Sequence, residues 1–174
     1  MGWLGEVKRD IDAAKESRDE IHPEPTARLD MLVYDASSGE PRLRTDYAGT
    51  VWYGGRPQPG RTRPAGGAEL AAPFWLPDSH RYDSGLVAGA SVQASAALQS
   101  AWISSAGGSL QIFSVAAAFG EDPDGGGSAR VYLAVSAAAE LPLGVSYRVT
   151  VVCAPAAVLG DAADSSTQRR TPTR

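Results

Sequence analysis

Asp78, His80 and Asp83 fall together in Pro77-Asp78-Ser79-His80-Arg81-Tyr82-Asp83-Ser84-Gly85, beside the hydroxyls of Ser79 and Ser84. Hydrolytic sites are made from these residue types: a carboxylate orients an imidazole, the imidazole takes a proton, and a hydroxyl attacks. The chemistry needs them to converge through space, and neighbours on one loop point in diverging directions. No nucleophile-elbow pattern surrounds either serine. The stretch reads as a polar turn leading into a strand, and no catalytic residue is expected.

Metal chemistry is equally thin. His22 and His80 are the only histidines and Cys153 the only cysteine, too dispersed for a zinc ligand set. Glu121, Asp122 and Asp124 resemble part of a calcium loop but lack its alternating ligands and distal glutamate, so a solvated hairpin turn accounts for them. Gly125-Gly126-Gly127 has no Lys-Ser/Thr after it and is no phosphate loop. Arg56, Arg61 and Arg63 stand in a Gly/Pro-rich stretch without stacking aromatics, as a solvated loop would. No metal and no cofactor is expected. Trp52, Tyr53, Trp75 and Trp102 could stack on sugar rings, although Trp and Tyr more often fill a core or an interface. A carbohydrate- or other ligand-binding module is therefore the alternative to a structural protein.

The elements that must carry these residues follow from composition and periodicity. With 174 residues, 43% hydrophobic and 21% charged, the chain suits one globular domain with appendages, since a useful core needs roughly 100 residues. A net charge of −4 sets up no field for polyanions, so nucleic acid is not an expected partner. Cys153 sits in a Val-rich run and reads as a buried, inert thiol, which suits a reducing cytoplasm. No signal-peptide pattern opens the sequence and no run approaches the ~18 apolar residues of a membrane span. A soluble chain with no membrane partner is expected.

Residues 3–21 carry Leu4, Val7, Ile11, Ala14 and Ile21 at alternating three- and four-residue steps, with Trp3 at the start and charged residues opposite. That spacing predicts an amphipathic helix ending before Pro23. Trp3, Leu4, Val7, Ile11 and Ala14 are the candidate partner-binding residues, because such a stripe packs either on its own sheet or into a partner's groove. His22-Pro23-Glu24-Pro25 reads as a stiff spacer. Residues 27–55 follow as a β-hairpin turning at Asp35-Ala36-Ser37-Ser38-Gly39, with Gly49 as a candidate bulge, and with Tyr47, Val51 and Tyr53 on the face opposite Trp52.

Beyond the 54–73 loop come Phe74-Trp75-Leu76 and then strand-like pieces over Leu86–Val92 and Leu98–Ile103. Strands follow over Leu110–Phe119, Ala129–Val135 and Val145–Cys153. In the last, Val145, Tyr147, Val149, Val151 and Cys153 alternate with Ser146, Arg148, Thr150 and Val152, which predicts one buried face. The polar tail from Pro155 reads as disordered. Short strands near ten residues apart, joined by Gly/Pro/Asp turns, predict a mainly β protein, an antiparallel β-sandwich preceded by a β-hairpin and one α-helix, with Trp102 in the core.

The series Leu86-Val87-Ala88-Gly89, Ala101-Trp102, Gly108-Ser109-Leu110-Gln111-Ile112, Ala129-Arg130-Val131-Tyr132-Leu133 and Leu143-Gly144-Val145-Ser146-Tyr147-Arg148-Val149-Thr150 resembles the small immunoglobulin-like adaptor domains of tailed bacteriophages. The resemblance covers roughly residues 74 to 153. It implies an immunoglobulin-like sandwich over 74–154. Before it lie the helix and spacer (1–25), the hairpin (26–55) and a linker (56–73); the tail (155–174) follows. It further implies a non-enzymatic adaptor of a virion or phage-tail-like assembly, otherwise cytoplasmic. Its partners would be protein subunits, as a homo-oligomer or part of a larger assembly.

Overall fold

The computed structural model describes residues 21–24, 26–54, 68–103, 108–122, 126–139 and 142–161. Along the chain come β1 (Ile21–Pro23), β2 (Ala27–Tyr34), β3 (Pro41–Tyr53), β4 (Ala68–Trp75), β5 (His80–Asp83) and a helical turn α1 (Ser84–Ala88). Then follow β6 (Val92–Ile103), β7 (Leu110–Glu121), β8 (Ser128–Ala139), β9 (Leu143–Cys153), a 3-10 turn (Pro155–Ala157) and β10 (Val158–Asp161). The expected helix, with Trp3, Leu4, Val7, Ile11 and Ala14, lies outside the described residues except for Ile21, which is strand. So do Arg56, Arg61, Arg63 and Asp124.

Among the described residues the protein is mainly β, with two antiparallel five-stranded sheets. In sheet 1, β3 lies between β9 on one side and the consecutive β1 and β2 on the other, and β6 closes the far edge of β9. Sheet 2 repeats the plan: β8 lies between β7 and the consecutive β4 and β5, with β10 beyond β5. The inward residues of both sheets form a single core that includes Tyr47, Val51, Tyr53, Leu76, Tyr82, Val131, Leu133, Val135, Val145, Tyr147 and Val149. The alternation in β9 is as the sequence spells it, buried at every odd position. Cys153 ends that strand as a buried free thiol, its ionisation pushed up by burial.

The sequence-based boundaries shift in several places. The hairpin is not set apart: β3 pairs with β9 from Leu43 to Tyr53, so both belong to one sheet. The proline spacer is stitched down as β1, Glu24 N–H donates to the Thr50 carbonyl at 2.8 Å, and Trp52 Nε1 donates to Glu24 Oε1 at 3.0 Å. Register runs unbroken through Gly49, which is no bulge; a Cβ there would stand 2.8 Å from the Tyr147 hydroxyl, so glycine leaves room for the ring. Of Leu86–Val92 only Val92 is strand, because Asp83 caps α1 by accepting from Leu86 N–H at 2.9 Å and the helical turn runs to Ala88. Residues 155–161 are ordered: Ala157 is buried and Val158 packs on the core, which anchors β10.

Trp102 departs furthest from expectation. One extra residue, Gln99, interrupts the β6–β9 register, so the inward positions change from Ala94 and Ala96 to Ala101 and Ile103. Trp102 is thereby turned to the outer face, 37% exposed. Phe113 is the corresponding extra residue in β7, switching its inward set from Leu110 and Ile112 to Val115, Ala117 and Phe119.

Candidate functional site

Between β4 and β5 the chain turns a corner that brings most of its polar chemistry together. Leu76 N–H still donates to the Val131 carbonyl at 3.2 Å, and Asp78 then adopts φ 55°, a left-handed geometry that Asp tolerates better than most residues. Ser79 and His80 are carried into the interior.

Toward sheet 1, His80 Nε2 lies 3.1 Å from Asp30 Oδ1 on β2, and Thr45 Oγ1 donates to the same oxygen at 2.8 Å. Arg28 Nε stands 3.3 Å from Asp30 Oδ2, and its guanidinium donates to the Asp78 carbonyl at 3.3 Å. The His80 backbone N–H donates to the Tyr47 hydroxyl at 3.0 Å, which lies 2.9 Å from the Tyr82 hydroxyl. A continuous polar thread therefore ties the sheets together. Burial opposes ionisation of Asp30, but the hydrogen bonds from Thr45 and His80 and the charges of His80 and Arg28 outweigh it and hold the carboxyl below its usual range. Burial pushes the Tyr47 and Tyr82 phenols up, so both stay neutral.

Toward sheet 2, Arg130 Nη2 donates to the Leu76 carbonyl at 3.2 Å, Nε reaches Ser79 Oγ at 3.5 Å, and Nη1 stands 3.8 Å from Asp122 Oδ1. Ser128 Oγ donates to Asp122 Oδ2 at 3.2 Å, and Asp122 N–H donates to the Ser128 carbonyl at 2.9 Å. Asp122 is thus buried and compensated, not the solvated turn residue expected.

The sequence cluster is consequently dispersed into separate jobs. His80 takes its carboxylate from Asp30 on another sheet, Asp78 offers its backbone carbonyl to Arg28, Asp83 caps α1, and Ser84 Oγ donates to the Gly127 carbonyl at 2.6 Å. A hydrolytic triad sets the imidazole between carboxylate and hydroxyl. Here the carboxylate sits between Thr45 and His80, and the imidazole is not interposed between carboxylate and hydroxyl. Asp30 and Thr45 escaped the sequence reading; the available signal was a carboxylate inside the apolar run of β2. Among the described residues no group of His, Cys, Asp or Glu could hold a metal ion, and no helix is long and apolar enough to cross a membrane.

Among the described residues, two aromatic pairs lie on the outer faces. Trp52 and Trp102 flank Gly144, their ring centroids 5.3 Å apart and planes at 84°; a Cβ on Gly144 would stand 2.6 Å from Trp102 and 2.8 Å from Trp52. Trp75 meets Tyr132 at 79° and covers Gly120 in the same way. In both clusters a glycine provides the hollow into which an indole settles. No protein-family model matches the chain, and comparison with curated proteins and with solved structures finds no match either.

Proposed function

We propose that this protein is a non-enzymatic structural or adaptor component, an immunoglobulin-like sandwich of a virion or phage-tail-like assembly that joins subunits through protein contacts. The observation that carries this reading is the far end of the β2–β3 hairpin. Leu32 lies opposite Leu43, and Tyr34 opposite Pro41, on the face that elsewhere meets the core, yet they are 58% and 68% exposed. The far end of the hairpin leaves this apolar face exposed, which suits docking onto a neighbouring subunit. The closed polar thread from Thr45 to Tyr82 supports a structural use of the buried polar groups. The near-perpendicular rings of Trp52 and Trp102 lack the coplanar arrangement suited to stacking on a sugar.

The test is sedimentation of the protein with particle-sized material from its source on a density gradient. The wild type is expected in the particle fraction, and a Leu32→Asp/Tyr34→Asp variant in the soluble fraction with an unchanged unfolding midpoint. A wild type that never enters the particle fraction sinks the reading.

A further inference from the structure

We infer that the flank formed by β6 and β7 is a self-association surface, on which the outer edge of β6 pairs antiparallel with β6 of a second copy of this chain. This deepens the adaptor reading and rests on it. An unpaired strand edge is a row of N–H and C=O groups ready to accept another strand, and proteins usually guard such edges with proline, charge or short length. On the opposite flank that guarding is present. β1 ends in Pro23, β2 carries Arg28 and Asp30, β4 contains Pro73, and β10 is a strand of 4 residues.

β6 and β7, at 12 residues each, contain no proline. β6 bears no charged residue, and β7 bears only Glu121, at its end. Among the described residues no strand pairs with the outer edge of either. Leu98, Trp102 and Phe113 add exposed apolar area to this flank.

The absence of charge favours a copy of the same chain. In a two-fold antiparallel pairing each residue faces its own strand, so any charge near the centre would be set against itself. Val92–Leu98 keeps its register with β9 and meets that condition throughout, with Ser95 at its midpoint. The extra residue Gln99 ends this straight run, which confines the pairing to a defined register and opposes open-ended growth.

The experiment measures mass against concentration by sedimentation equilibrium on the full chain. Ser95 is exposed, so its substitution leaves the core intact. The wild type is expected to dimerise, and Ser95→Lys and Ser95→Glu alone to dimerise about tenfold or more weakly. An equimolar mixture of the two variants should regain the wild-type affinity, because opposite charges then face each other; a merely misfolded variant would not be rescued. Leu29→Lys on the guarded flank should leave the dimer unchanged. A wild type that stays monomeric, variants that dimerise as tightly as wild type, or a mixture that stays weak would each overturn the inference. All three leave the gradient result for Leu32 and Tyr34 standing, so the two readings fail separately.

Discussion

The two flanks of the molecule solve the problem of a sheet edge in opposite ways. On the β2–β5 flank, charged and hydroxyl side chains bridge the sheets through Asp30, His80, Tyr47 and Tyr82, and the strand edges outside them are short, charged or contain proline. On the β6–β7 flank the side chains are mainly small or apolar, and the edges run long and uncharged. Buried polar bonds need their partners fixed within a single chain, whereas an unguarded edge accepts a partner from outside. The contrast gives internal cohesion to one flank and leaves the other to the proposed external contact.

Substitutions can break that contrast, and the largest effect belongs to the core that both flanks share. Leu133→Ala should cost about 2–5 kcal/mol by chemical denaturation, whatever the state of association. Tyr47→Phe, on the bridged flank, should cost about 1–3 kcal/mol, because the His80 N–H loses its acceptor and the Tyr82 hydroxyl its neighbour. Gly144→Ala should cost about 1–3 kcal/mol, with a change in tryptophan fluorescence, since the new methyl displaces Trp102 or Trp52. A cost near zero for Tyr47→Phe would remove the cohesive role given to the bridged flank.

A smaller effect is expected from acid. The Asp30 carboxyl is held below its usual value in the folded protein, so its contribution is present above the unfolded value near 4 and is lost as pH falls through the lower folded value. Asp30→Asn should therefore flatten the loss of stability below about pH 4 while leaving the proposed β6 pairing unaffected at neutral pH. The smallest change is expected from Leu29→Lys, within about 0.5 kcal/mol of wild type, because that side chain is already exposed.

Legibility in the sequence followed the range over which each determinant acts. The buried face of β9 is written in strict alternation, and the hairpin in a turn whose Asp35 accepts from Ser37 and Ser38 N–H. Both are local patterns. The sequence pattern puts Trp102 on the wrong face because one inserted residue, Gln99, reverses the parity of a strand, and an Ala/Gln/Ser run gives no sign of where the insertion falls. The α1 cap is hard to read because Leu86 and Val87 look like strand unless Asp83 holds the Leu86 N–H. His80 could be singled out from sequence but its partner could not, because Asp30 becomes its neighbour only when two sheets close on each other.

The place of β9 in sheet 1 carries a consequence for how the chain is made. It lies between β3 and β6, both synthesised before it, and among the described residues it is the last of the long strands to leave the ribosome. Until Leu143–Cys153 emerges, β3 and β6 have no strand between them, and the nascent chain holds two unfinished halves of a sheet. Such separations along the chain slow folding and leave strand edges open while synthesis continues. A chain that stops before Leu143 therefore loses the strand that joins those halves.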